Sequence, residues 1–371
     1  VDSAGNNNSI CAVVGRTKAD LTNCYYVEEC GATDTKTGVT KVTSLTAALL
    51  GDAFVEDEDG LNNGYPIFTW QQRVPDEIIG TVEQFKAFAD RVNGGETFEG
   101  KLIRLDVNMD LACSESNPWT PIGASGSFKG TFDGNGHVIS GLFIASGSKV
   151  GLFGNVNGGT IKNLVVRGEV TGSSDVGGVV GYLNAGQIIN CGNEANVKGG
   201  ADVGGVVGYV GGASTVSGCY NKGSVTGTTG YIGGVTGQHW RAGTVINCYN
   251  AGTVTGPACV GGVTGGHSAA SPVLENCYNV GTVVDSAGNN NSICAVVGRT
   301  KVDLTNCYYL ECGADDTKTG VTKVTSLTAA QLGDAFEDVD SAVALKWESS
   351  VCTDAPVRPA FVEKTELSKQ L

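Results

Sequence analysis

From about residue 150 to residue 310 the apolar positions fall in one recurring frame. It holds a lone Val or Ile, a pair of glycines, a second apolar step, a polar corner, and a short alternating run that ends in Cys and Tyr. Four consecutive copies show it: "DVGGVVGYLNAGQIINCGNEANVKG", "DVGGVVGYVGGASTVSGCYNKGSVTG", "YIGGVTGQHWRAGTVINCYNAGTVTG" and "CVGGVTGGHSAASPVLENCYNVGTV". The leading anchors are Val176, Val203, Ile232 and Val260, with Val150 before them and Ile293 after. The cysteines Cys191, Cys219, Cys248, Cys277 and Cys307 follow one per copy at a nearly constant interval, and Leu164 takes that place in an earlier copy.

These copies lack a sustained helical periodicity and are full of Gly, Val, Thr and Asn, so a repeat of helix pairs does not fit. Three short strands joined by three corners do, as one turn of a right-handed parallel β-helix with roughly 26–33 residues per turn, a period that marks a solenoid. Each turn then pairs only with its neighbours, about 4.8 Å above and below, and equivalent side chains stack into columns. In "INCYN" the alternation assigns Ile246, Cys248 and Asn250 to the interior and Asn247 and Tyr249 to the outside. The Cys column is then packing by a small hydrophobe, although stacked cysteines are also close enough for disulfides. Asn193, Asn221, Asn250 and Asn279 form a second inward column that hydrogen-bonds from turn to turn. Both patterns change at "CYYLE", where the solenoid is expected to end.

An open solenoid end exposes core and strand edges, so both ends need caps. At one end "TVEQFKAFADRVN" (residues 81–93) predicts a helix, with Thr81 and Gln84 as a capping box and Phe85, Phe88, Ala89 and Val92 as its apolar stripe. At the other end "SLTAAQLGDAF" (residues 326–336) predicts a short helical closing segment.

Composition adds to this picture. Glycine, at 56 of 371 residues, is about twice its usual share and suits many short strands with tight corners. A net charge of −14 with no Lys/Arg cluster argues against nucleic acid and anionic membrane surfaces. No apolar run is long enough for a spanning helix, so no membrane insertion is expected. The 13 cysteines include no C-x-x-C pair of the kind found in zinc ribbons or thioredoxins.

The copies resemble the GLUG-motif repeats of bacterial surface and secreted proteins, including non-catalytic regions of immunoglobulin-A-specific metallopeptidases. The lead-in "WTPIGASGSFKGTFDGNGHVISGLFI", then "GLFGNVNGGTIKNLVVRGEV", and, in the N-terminal copy, "DGLNNGYPIFTW", which matches the usual sequence after the last turn, belong to the same resemblance, which spans residues 97–315 and the N-terminal copy. It implies a β-helix in an extracellular, cell-surface or secreted protein. It does not imply a reaction, since the family is defined by architecture.

The segment beginning "VDSAGNNNSICAVVG" occurs twice, once from Val1 and once from Val284. Residues 1–73 therefore read as the last turn and closing segment of a preceding unit, 74–350 as one complete capped unit, and 351–371 as a linker or the start of the next segment. A tandem array cut in mid-unit is the expectation. An alternative is a filament in which one molecule's N-terminal copy takes the last-turn slot of a neighbour.

The expected function is structural and adhesive: a stiff stalk presenting its faces to host or microbial glycans or proteins, with no enzymatic activity. Tyr220, Tyr249, Tyr278 and Tyr308 follow the ladder cysteines and project outward, as a binding platform or as rings covered by a cap or a neighbouring unit. His239 and His267, with Trp240, fall in adjacent loops as a binding edge, though too few ligands surround them for a metal site. Asp175 and Asp202 stack on successive turns at a separation that suits a glycosidase pair, but neither has an assisting residue and aspartates at a corner commonly bond to backbone. "EDEDGLNNG" (residues 56–64) offers Asp57, Asp59, Asn62 and Asn63 as calcium ligands, a set that the second copy loses; no other cofactor is expected. A polysaccharide-active β-helix, or an accessory region of a secreted peptidase, is the enzyme-related alternative.

Overall fold

The computed structural model describes residues 24–27, 39–42, 50, 54–55, 67–68, 73–240, 243–267, 273–300, 304–332, 336–339 and 342–345. Two compact units, Val1–Val74 and Pro75–Leu371, make up the chain. In the first, strand Cys24–Val27 pairs in parallel with Val39–Val42, and Phe54–Val55 pairs antiparallel with Ile67–Phe68.

The second unit is a right-handed parallel β-solenoid of about eight turns with very little helix. Its anchor sheet stacks Ser148–Val150, Ser174–Gly177, Ala201–Gly204, Ile232–Gly233, Val260–Gly261 and Ile293–Cys294. The facing sheet stacks Phe153–Asn157, Val180–Asn184, Val207–Gly211, Thr236–His239, Thr264–His267 and Val297–Arg299. The third sheet holds the cysteines and starts earlier, at Glu77–Ile79, ending at Cys307–Tyr309 and Val321–Lys323. One continuous core of Val, Ile, Leu, Phe and Cys runs through the bore.

Register explains the glycine pairs. Asn193, Asn221, Asn250 and Asn279 are fully buried, and the first three donate to the Asn below: Asn193 to Asn221 at 2.7 Å, Asn221 to Asn250 at 2.8 Å, and Asn250 to Asn279 at 2.8 Å. Each also donates to a backbone carbonyl two residues on, so the column carries its own corner. The second glycine of each pair (Gly178, Gly205, Gly234, Gly262) lies against these amides, where any Cβ would overlap the Asn side chain.

The alternation in "INCYN" needs one correction. Val245, not Ile246, joins the core, and its column is Ile188, Val216, Val245 and Leu274. Asn247 is the cause. It is in the left-handed region (φ 54°), as are Asn163, Asn190, Gly218, Asn276 and Asn306 on the other turns. A left-handed residue breaks the two-residue alternation, so Cys248 and Val245 both face inward across it. Asparagine tolerates that conformation, and the outer amides link further, Asn276 to Asn247 at 3.3 Å and Asn306 to Asn276 at 3.2 Å.

Helix α1 (Val82–Asn93) closes the first end with the capping box complete, Gln84 N donating to Thr81 and Gln84 Oε1 accepting from Thr81 N. Phe85, Phe88, Ala89 and Val92 are buried; Phe85 stacks on Trp119 at 5.3 Å and Phe88 on Phe132 at 5.7 Å. At the other end Tyr309 replaces Asn in the inner column, its hydroxyl donating to Asp315 and accepting from Asp316 N. Among the described residues of the closing segment, helix α2 spans Ala329–Leu332, and Phe336–Val339 forms a strand paired antiparallel with Ala342–Leu345.

Candidate functional site

The chemically mixed outer strip of the solenoid lies where the anchor sheet meets the facing sheet. The residue before each anchor (Lys149, Asp175, Asp202, Tyr231, Cys259, Ser292) has φ between 50° and 59°, so one left-handed corner recurs on six turns. Beside it, in register on the facing sheet, run Asn155, Tyr182, Tyr209, Gln238, Gly266 and Arg299. The columns approach closely because Gly181, Gly208 and Gly237 pack their bare Cα atoms on the neighbouring backbone.

Tyr182 and Tyr209 stack face to face, 5.1 Å apart and 4° from parallel, and Lys149 Nζ sits 4.3 Å from the Tyr182 ring centre. Tyr231 lies over Gly266, where a Cβ would come within 2.9 Å of the ring, and accepts a hydrogen bond from Arg299 Nη1 at 3.3 Å. Asp175 and Asp202 occupy the corners between. Desolvation raises the Asp175 carboxyl, with Lys149 opposing, and raises Asp202 to about 7, with the Asp175 charge adding to it. Asp202 Oδ1 is buried and has no hydrogen-bond partner among the described residues. Near neutral pH this strip offers a carboxyl able to donate or accept, a second carboxylate, two half-buried phenols and two cations. That mixture suits a hydroxyl-rich or peptide ligand. Lys149, the cation nearest the aspartates, is engaged by the Tyr182 ring.

The tyrosine column is covered, one of the two arrangements its sequence allows. Tyr220, Tyr249 and Tyr278 do stack on the outside of the third sheet, at 5.5 and 5.0 Å, but are only 1–2% exposed. Leu332 and Phe336 cover them, with Leu327 and Tyr308 at the margin and Phe336 edge-on to Tyr278 at 5.6 Å. Gly192 stands in this column because the Tyr220 ring fills the space of its missing side chain. Glu194 accepts from the Tyr220 hydroxyl at 3.1 Å and pairs with Arg167.

The histidines are corrected. His239 and His267 lie in paired strands, buried at 0 and 2% exposure, with ring centres 4.8 Å apart; Trp240, next in sequence, is exposed. Thr236 Oγ1 is 2.8 Å from His239 Nε2 and donates to Thr264 Oγ1 at 3.0 Å. Burial depresses both imidazoles, His267 to about 4 and His239 well below its usual range, with His267 adding to the effect on His239. The signal was in the spacing: seven residues after its anchor, Val176 leads to Leu183 and Val203 to Val210, so the same offset places His239 and His267 in that inward column.

The ladder cysteines Cys191, Cys219, Cys248, Cys277 and Cys307 are free and buried, each thiol donating to the carbonyl two residues back. Desolvation raises the thiols of Cys191, Cys248 and Cys307. Asp57, Asp59, Asn62 and Asn63 lie outside the described residues. Among the described residues no three of His, Cys, Asp and Glu converge as metal ligands, and no helix is long and apolar enough to cross a membrane.

No family model matches the chain. It is 30% identical over 98 residues to halomucin from Haloquadratum walsbyi, a match covering 23% of this chain and 1% of halomucin. The fold is similar to the crystal structure of a candidate immunoglobulin A1 protease from Bacteroides ovatus, with a TM-score of 0.56 and 19% identity over 73% of this chain and 92% of that one. At that identity the likeness concerns the fold.

Proposed function

We propose that the chain is a structural module of a larger extracellular protein, a stiff stalk segment that carries an adhesive strip. The observation that carries this reading is the unbroken parallel pairing from Glu77–Ile79 to Val321–Lys323, with a buried amide column linking the turns from Asn193 to Asn279 and a buried thiol column from Cys191 to Cys307. Such a rod resists bending and leaves its outer faces for recognition. The adhesive strip is the Lys149, Tyr182 and Tyr209 stack with Asp175 and Asp202, and its ligand class is glycan or protein. The GLUG-type resemblance supports an extracellular, non-catalytic role, as in accessory regions of secreted peptidases.

The test is a glycan and extracellular-matrix protein array probed with the full chain and with a Tyr182→Ala/Tyr209→Ala variant. Binding that the double variant loses, with unchanged melting, is the expected result. Binding that survives the change would move the site elsewhere. Asp202, a carboxyl half-protonated near neutrality beside a second carboxylate, supports one further reading, a polysaccharide-active β-helix. Release of reducing ends from a polysaccharide, abolished by Asp202→Asn, would replace the binding role with that one.

A further inference from the structure

The tyrosine column and its cover point to a joint between copies. The cover comes from residues 325–336, "TSLTAAQLGDAF", through Leu327, Leu332 and Phe336. Residues 43–54 read "TSLTAALLGDAF", identical at eleven of twelve positions, with Leu45, Leu50 and Phe54 at the three covering places. The one change sets Leu49 where Gln331 stands, so the N-terminal version is the more apolar.

The likeness extends to backbone pairing. Cys24, Tyr25 and Tyr26 pair with Val39, Thr40 and Lys41 in the register that joins Cys307, Tyr308 and Tyr309 to Val321, Thr322 and Lys323. Each copy also places its Phe, Phe54 or Phe336, at the start of an antiparallel hairpin. The N-terminal copy thus forms the same local pairing that, in the second unit, is docked on Tyr278–Asn279.

We infer that the tyrosine column formed by Tyr220, Tyr249 and Tyr278 is a docking seat for residues 45–54 of a second copy of this chain. The contact is heterologous and head-to-tail, because the seat and the segment are different surfaces of one chain, so repetition gives an open filament, or a ring where the rotation closes. In the isolated chain the tethered cover competes with the advantage of an intramolecular segment, an effective concentration in the millimolar range. The seat is therefore occupied internally until that cover is weakened or displaced. This inference goes beyond the stalk reading and is independent of the Tyr182 strip: loss of array binding leaves it intact, and its own failure leaves the array result intact.

The experiment uses the full chain with Leu332→Asp and Phe336→Asp, checked for its β signal by circular dichroism. A gentler pair, Leu332→Ala with Phe336→Ala, is made in case the charged pair does not fold. Light-scattering mass is expected to rise with concentration to twice that of one chain or more, and to fall back to one chain when Leu50→Asp and Phe54→Asp are added. A folded cover variant that stays a single chain at every concentration would overturn the inference. So would association that is indifferent to Leu50 and Phe54, since the tyrosines would then be merely adhesive when bared.

Discussion

The buried asparagine column shows how position along a ladder sets the cost of one residue. Asn250 accepts from Asn221 at 2.8 Å and donates to Asn279 at 2.8 Å, while also holding Gly252 O and Gly252 N. Asn193 has an Asn partner on one side only, Asn221, because Val166 occupies the rung above. Replacing Asn250 by Leu strands amide groups on two neighbours inside the core, at roughly 1–3 kcal/mol for each unsatisfied group. The midpoint of urea unfolding should therefore fall further for Asn250→Leu than for Asn193→Leu. Equal shifts would mean that the corner bonds matter and the turn-to-turn bonds do not. Asp202 gives a prediction of opposite sign. Its folded carboxyl titrates at about 7, above the ordinary carboxylate value near 3.9. The folded state therefore loses stability as pH rises from about 4 through 7. Asp202→Asn removes that loss and keeps a residue that accepts φ 53°. Its melting temperature should exceed the parent's by more at pH 8 than at pH 4.5, and a constant difference would show that the carboxyl is solvated.

At the scale of the element, the histidine strands carry a second pH dependence. An unfolded imidazole takes up a proton near 6.5, whereas His267 stays neutral down to about 4 and burial holds His239 well below the usual range too. Stability contributed by these neutral rings is present above 6.5 and is lost as pH falls toward 4. Changing both to Leu, the residue that Leu183 places in the same column, should shrink the drop in melting temperature between pH 7 and pH 5. An unchanged drop would assign it to other groups. These strands also show what could be read from the chain. Cys, Asn and anchor columns were legible because each is a fixed offset within a repeat, and α1 because its cap and stripe are local. The histidines were legible by the same offset but masked by their polarity, which suggests loop. Val245 was misplaced because a single left-handed Asn247 reverses the parity, a backbone event that alternation does not contain. That a cap covers the tyrosines was one of the two readings the chain allowed, but which residues supply it was not legible. Phe336 and Tyr278 stand two turns' worth of chain apart, and nothing in either segment names the other. The Tyr182 and Tyr209 strip lay in plain sight in "VVGYLN" and "VVGYVG", yet only the register shows that the rings stack and that Lys149 sits over Tyr182.

For the molecule as a whole, stability in a solenoid is close to a sum over turns and the interfaces between them, so unfolding starts where a turn has one neighbour instead of two. Here one end is sealed by Phe85 and Phe88 of α1 against Trp119, Phe128 and Phe132, and the other ends at the more exposed strand Val321–Lys323. Amide hydrogen exchange should therefore be slowest around Cys219 and Cys248, which have complete turns on both sides, and fastest at Val321–Lys323. Phe88→Asp puts a charge into the aromatic seal and should raise exchange at Leu102–Leu105 by tenfold or more. A tenfold rise corresponds to a loss of about 1.4 kcal/mol in local stability. Exchange near Cys248 should change far less. A gradient of this kind would establish that the turns are coupled only to their neighbours, the property that allows a solenoid to be lengthened by adding units without redesigning its core. Uniform acceleration along the chain would instead make the solenoid one cooperative block, and a break at either end would then threaten the whole rod.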